Sequence, residues 1–396
     1  MSQPALSLED ALARMLAKLE PVAALDVPVD EALGHYLAQP LTAARTQPPA
    51  DLSAMDGYAI CGVGPWELIG ESRCGQAFDG ALVTGQTVRI STGAILPAGA
   101  DRILIQENAT VDGKQVAAEE IPPEGRHIRS KAFEFSDGDS LLEGGVRIGA
   151  AQLALARSAG RGSLSVTGRP KVTILDTGDE LVADPTQCAT HQIPASNAAM
   201  LSALAGQEPT TIVRNAPLPD HLDTIVEALQ ANRDADLIVI TGGASVGDHD
   251  LAKPALEKAG AELDFWKVAM KPGKPLMVAT RGQQLILGLP GNPVSSFVTG
   301  YLFMLPAIRR LAGASACLSR TIDLPLAKDC PAGGVRREFL RAAWTQDGLV
   351  PLVEQDSSAL LALSRAEALI DRAAHADGTK AGTYVPAYWL GNGAIA

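Results

Sequence analysis

Leu237-Ile238-Val239-Ile240 leads without a break into Thr241-Gly242-Gly243-Ala244-Ser245-Val246-Gly247-Asp248-His249-Asp250. The apolar, largely β-branched run reads as a strand buried on both faces, and the loop after it is rich in glycine and short polar residues. Two further segments repeat the design. Lys171-Val172-Thr173-Ile174-Leu175 runs into Thr177-Gly178-Asp179-Glu180, and Leu285-Ile286-Leu287 runs into Gly288-Leu289-Pro290-Gly291-Asn292-Pro293. Helical stretches are expected at Asn197 to Leu204, His221 to Leu229, Lys253 to Lys258 and Val294 to Leu311. Strand and helix in alternation predict a doubly wound α/β layer, whose ligand crevice lies at the carboxyl ends of its strands. Acidic residues stand in two of these loops, and Lys271-Pro272-Gly273-Lys274 lies between the second and the third. Carboxylates beside ammonium groups and free backbone N–H groups suit a phosphorylated ligand with a divalent cation.

Outward from this layer the pattern changes. Ser7 with Asp10 gives a capping-box-like start, and Leu8, Leu12, Met15, Leu16 and Leu19 line one helical face up to Pro21. From about residue 60 to 145 short strands alternate with glycine turns such as Thr92-Gly93-Ala94, Asp112-Gly113 and Asp137-Gly138, a β-rich region. A helical patch near 150–159 precedes Gly160-Arg161-Gly162. Beyond residue 320 alternation with turns returns, which predicts a small C-terminal β-barrel. No internal repeat or low-complexity tract is present.

Bulk properties exclude several function classes. A chain of 396 residues divides into several domains, since single cores seldom grow past roughly 250–300 residues. The net charge of −12 argues against general affinity for nucleic acid or an anionic membrane, so any anion is gripped locally. No apolar run approaches the roughly 20 residues of a transmembrane helix, and the N-terminus lacks a signal pattern, so a cytoplasmic protein is expected. The five cysteines, at 61, 74, 188, 317 and 330, show no CxxC spacing and read as reduced. The six histidines are scattered, which argues against zinc.

Each candidate has a plainer alternative. Thr241 to Asp250 follows a strand and precedes a helix, where successive N–H groups can cradle a phosphate; a simple glycine turn is the bland reading. It matches neither GxGxxG nor GxxxxGK[ST], against dinucleotide and P-loop sites. Thr177 to Glu180 is an ordinary turn by composition, and its place at a strand end favours a carboxylate that binds a metal or a hydroxyl. Lys267, Lys271 and Lys274 read either as a solvated face or, held non-helical by Pro272, Gly273 and Pro275, as fixed ammonium groups. For Ser53-Ala54-Met55-Asp56-Gly57-Tyr58 and for Glu107, packing and turn roles are the default.

Taken together, these segments resemble the molybdopterin molybdenumtransferase family, whose eukaryotic relative is the E domain of gephyrin. The shared pieces are Pro49 through Ala59, Ser91-Thr92-Gly93-Ala94 with Pro97 to Asp101, Thr177 to Leu181, Asn197, Thr241 to Asp250, Trp266 to Pro275 and Gly288 to Ser295. They keep family order over nearly the whole chain. The resemblance implies four parts: a helical linker region (1–25 and 140–168), a β-rich domain (26–139), an α/β molybdopterin-binding domain (169–318) and a C-terminal β-barrel (319–396). It implies a homodimer whose cleft joins the α/β domain of one subunit to the β-rich domain of the other. It also implies a reaction in which adenylylated molybdopterin and molybdate give molybdenum cofactor and AMP, with Mg²⁺ as the metal. Transient contacts with other cofactor-synthesis proteins and with molybdoenzymes are expected partners.

Family functional positions fall on Asp56, Thr92, Glu180, Asp220, Asp250, Lys267, Lys271, Pro290, Pro293, Arg341 and Ser357. Asp56, Glu180 and Asp250 offer hard oxygen ligands for Mg²⁺. Thr241, Gly242, Gly243, Ser245, Gly247 and Lys274 are expected at the phosphate or pterin, and Lys271, Arg341 and Ser357 at the molybdate oxyanion. Catalysis would consist of positioning and electrostatic relief at the phosphoanhydride.

Three departures from the family pattern stand out. Ala132-Phe133-Glu134 replaces a Gly-Glu-Asp run, Gln355-Asp356-Ser357 replaces Gln-Gly-Ser, and Arg365-Ala366-Glu367-Ala368-Leu369 replaces Ala-Asn-Gly-Leu. Competing functions are a molybdopterin adenylyltransferase, against which the SAMDGYA region and the barrel count as extra parts, a non-catalytic dimeric pterin-binding or scaffold protein, and a paralogue that uses tungstate.

Overall fold

The computed structural model describes residues 5–242 and 251–391. Its centre is a six-stranded sheet in the order Thr211–Arg214, Lys171–Asp176, Leu237–Thr241, Gln284–Leu289, Met277–Arg281, Glu262–Trp266. The first four strands run parallel, and Met277–Arg281 forms an antiparallel hairpin with Gln284–Leu289. Val172, Ile174, Leu237, Val239, Leu285 and Leu287 are fully buried on one face, and Leu175, Ile238, Ile240 and Ile286 on the other. Burial on both faces is why these runs read as continuous apolar stretches.

The crossover helices are Asn197–Ala205, Leu222–Ala231 and Ala252–Lys258. The closing helical stretch is not uniform: Pro293–Thr299 passes through a π-helical turn at Gly300–Met304 into Leu305–Leu311. Ser7 caps the first helix, Leu8–Leu16, by accepting from the Asp10 N–H at 3.0 Å. That helix buries Leu8, Ala11, Leu12 and Met15 in the same core as Leu302 and Leu305. Further along, Ala24–Pro28 pairs antiparallel with Ser163–Thr167, and Ala150–Ser158 packs beside Val29–Glu31.

The β-rich region holds a second six-stranded sheet, in which Gly57–Ile60 lies between Arg102–Ile105 and Gln86–Ile90. A third sheet runs Met270–Lys271, Arg337–Thr345, Ala368–Arg372, Tyr384–Trp389, Ile322–Pro325, with Gly348–Pro351 on Arg337–Thr345. A bridge from Leu326 to Leu349, where the Ala327 N–H donates to the Leu349 carbonyl at 2.8 Å, closes these strands into a small barrel. The chain is thus a multidomain α/β protein. Among the described residues, no helix is long and apolar enough to cross a membrane.

Candidate active site

Lys171–Asp176 and Leu237–Thr241 are adjacent and in register, with Asp176 opposite Thr241, and Thr241 is opposite Leu289 on its other side. The strand order reverses between the first two, so a crevice opens at their carboxyl ends. A cleft of about 700 Å³ lies there. Its walls include Thr177, Glu180, Asn197, Asp220, Thr241, Gly242, Pro290 and Pro293, and the barrel contributes Ser358 and Leu360.

A hydrogen-bonded set forms the cleft floor. The Thr241 hydroxyl donates to Asp176 Oδ1 at 2.6 Å, and the Ala198 N–H donates to Asp176 Oδ2 at 2.9 Å. Asn197 Nδ2 donates to the Gly291 carbonyl at 2.7 Å. Gly242 has φ +85°, and a Cβ there would stand 2.1 Å from the Thr177 carbonyl oxygen, so the loop turns at this residue only as glycine. Sequence reasoning misses Asp176; the available signal is a lone acid ending an otherwise apolar strand. Gly243, Ser245, Gly247 and Asp250 lie outside the described residues.

Three carboxylates gather at one wall. The Asp220 N–H donates to Asp179 Oδ1 at 3.0 Å, and Glu180 and Asp220 both face the cleft. Burial, then the charges of Asp179 and Glu180, push the Asp220 carboxyl above its ordinary range. Even so, no three His, Cys, Asp or Glu side chains among the described residues form a metal-holding group. Of the expected trio Asp56, Glu180 and Asp250, Glu180 lines the cleft, Asp56 does not, and Asp250 lies outside the described residues.

The basic residues depart more from expectation. Arg341, expected at the molybdate oxyanion, is 1% exposed and donates from one terminal nitrogen to the carbonyls of Glu354 and Asp356 at 2.9 and 3.0 Å. Its Nε is buried with no partner among the described residues, and burial lowers its pKa. Arg341 holds the loop before Ser357; it does not line the cleft. Ser357 Oγ accepts from Asn292 Nδ2 at 2.9 Å, and its carbonyl accepts from the Val294 N–H at 3.0 Å. The Asp356 carboxylate turns to the Ser358 N–H and hydroxyl, which hold its pKa below the usual range. Lys271 Nζ pairs with Glu338 at 3.2 Å, Lys267 lies over the Trp266 ring, and Lys274 is exposed.

Asp56 and Thr92 meet in the β-rich region, where the Thr92 N–H donates to Asp56 Oδ1 at 2.7 Å. Neither lines the α/β cleft. At the departure from the family pattern, Ala132 has φ +61° and donates its N–H to the Pro48 carbonyl at 3.0 Å, and exposed Phe133 lies under Arg129.

Comparison with known proteins covers the whole arrangement. The family descriptions "MoeA N-terminal region (domain I and II)", "Probable molybdopterin binding domain" and "MoeA C-terminal region (domain IV)" match residues 6–160, 173–310 and 323–390. The chain is similar to molybdopterin molybdenumtransferases of Nostoc sp. (34% identity, covering 71% of this chain and 67% of that one) and Haemophilus influenzae (33%, 78% of each). One from Staphylococcus epidermidis is 29% identical over 96% of this chain and 94% of its own length. The fold matches the crystal structure of the molybdopterin biosynthesis moeA protein from Pyrococcus horikoshii OT3, with TM-score 0.85, 24% identity and coverage of 98% and 100%.

Proposed function

The chain belongs to the molybdopterin molybdenumtransferase family, enzymes of molybdenum cofactor biosynthesis, and from that premise we propose that it takes adenylylated molybdopterin and molybdate and releases AMP. The observation that carries the reading is the α/β cleft, where a strand-end glycine turn at Gly242, an acidic wall at Glu180 and Asp220, and the Pro290–Pro293 loop face one space. A cleft of about 700 Å³ is of the size that holds an extended small-molecule substrate.

The crowding of Asp179, Glu180 and Asp220 fits a divalent cation, because an acid pushed above its ordinary range by burial and then by neighbouring carboxylates is relieved by positive charge. Mg²⁺ is bound through one or two carboxylates together with waters and phosphate oxygens, so Glu180 and Asp220 are sufficient protein ligands. When bound, the ion would neutralise charge on the phosphoanhydride. The protein's own part is orientation: Gly242 brings backbone close to the ligand, while Pro290 and Pro293 make a rigid wall. Lys271 keeps a half-exposed ammonium group beside Glu338, and with Ser357 it remains the candidate for molybdate. Arg341 acts on that region through the loop it holds.

Asp56 and Thr92 lie outside the cleft of their own chain, which favours the arrangement in which a second subunit supplies them. The test is AMP release from adenylylated molybdopterin by the purified protein, with molybdate and Mg²⁺ varied independently. Absence of AMP release under every combination removes the proposed reaction.

A further inference from the structure

The amide orientation of Asn197 is settled by its surroundings. A carbonyl oxygen can only accept, so the group 2.7 Å from the Gly291 oxygen is the Asn197 NH₂. The second hydrogen of that NH₂ points to Thr241 Oγ1 at 3.5 Å, an oxygen whose own proton is directed to Asp176. Both amide hydrogens therefore face protein, and Asn197 Oδ1 is an acceptor with no protein partner among the described residues, in the wall of the cleft.

Asp176 makes this arrangement rigid. The helix Asn197–Ala205 receives no side-chain cap from Ser196; the acceptor for its Ala198 N–H comes instead from Asp176, on the neighbouring strand. A buried carboxylate at a helix start is stabilised by the helix dipole. It fixes the first turn, and with it Asn197, against the strand ends.

We propose that Asn197 is a specificity-determining residue whose Oδ1 accepts a hydrogen bond from an exocyclic amino group of the bound fused heterocycle, and that Asp176 is the positioning residue behind it. The proposal rests on the cleft being the seat of adenylylated molybdopterin, which carries two such amines, one on the pterin and one on adenine. A site built around one acceptor favours a donor and rejects an analogue that presents a carbonyl at the same place.

The experiment compares binding of pterin with lumazine, and of AMP with IMP, to the full-length protein. The second member of each pair carries a carbonyl in place of the amine. Wild type is expected to prefer the amine in one pair by about tenfold, and Asn197→Ala to bring that preference within about twofold. The pair that loses its preference names the amine. Asn197→Ser, whose hydroxyl suits a helix start, gives the same change in ratio should alanine disturb folding. Asp176→Asn lowers the preference in the same direction. A purely structural asparagine would weaken both members of each pair alike; that result, or no preference in wild type, overturns the proposal. Turnover of adenylylated molybdopterin by wild type is measured alongside. If turnover is present and the ratios are unmoved, Asn197 fails and the proposed reaction stands; if turnover is absent, the reaction falls whatever the ratios show.

Discussion

Gly242 approaches Thr177 so closely that a Cβ on the glycine would lie 2.1 Å from the Thr177 carbonyl oxygen. Two strand ends are thereby held in contact at the base of the cleft. Gly242→Ala meets both this clash and the strain of φ +85°. The expected loss is about 3 kcal/mol, or about 6–12 °C in the unfolding of the α/β layer. Thermal unfolding checks it; a shift below 2 °C would show that the loop moves aside freely.

Asp220 couples charge to stability. Its carboxyl is raised by burial and by Asp179 and Glu180, so the folded state holds the proton more tightly than the unfolded chain does. The ionised form therefore costs stability above the folded-state pKa, and the cost vanishes below the ordinary carboxylate range near about pH 4. Asp220→Asn should unfold at higher temperature than wild type at pH 7, with the gap closing as pH falls. Added Mg²⁺ should raise the wild-type midpoint and leave that of the Glu180→Gln, Asp220→Asn double variant unmoved. Equal responses of both proteins would place the cation elsewhere.

Arg341 separates loop support from oxyanion contact. Arg341→Ala removes the donor to the Glu354 and Asp356 carbonyls and leaves a buried gap, at a cost of about 2–3 kcal/mol. Because that loop leads directly into Ser358 and the helix start Leu360, which face the cleft, KM for the adenylylated pterin and for molybdate should rise together. A change confined to molybdate would return Arg341 to a direct role.

Subunit mixing tests where Asp56 acts. If a cleft joins Asp56 and Thr92 of one subunit to Glu180 of another, hybrids of Asp56→Asn and Glu180→Gln protomers contain one site with both lesions and one with neither. About half of wild-type activity per hybrid dimer is expected, measured after the hybrid is isolated by mass. Inactive hybrids would confine each site to one chain.

The α/β layer was legible because double-sided burial forces unbroken apolar runs, as in Leu237 to Ile240 and Leu285 to Leu287. Glu180, Thr241, Gly242, Pro290 and Pro293 were placed at the cleft for the same reason: strand ends define it. What the sequence hid depends on burial of polar groups. Arg341 has the composition of an exposed anion fork, yet its strand turns inward, and nothing local to residue 341 encodes that direction. Asp176 looks like a strand-end turn former, and its importance comes from Ala198 and Thr241, which only the fold brings near. The π-helical turn at Gly300–Met304 lies within a single apolar period and leaves no pattern to read.

The edge strand Met270–Lys271 belongs by sequence to the α/β layer and by hydrogen bonding to the barrel, where it runs parallel to Arg337 and Glu338. The Arg337 N–H also donates to the Ala269 carbonyl at 3.1 Å. A tail cut at residue 319 would thus leave the Arg337–Glu338 end of that strand bare, beyond the part that Gly348–Pro351 covers, with unpaired backbone groups that invite self-association. Exchange of tails between relatives would succeed only when the short stretch around Met270 and Lys271 travels with them, so the heritable unit here is a sheet assembled from two distant places in the chain.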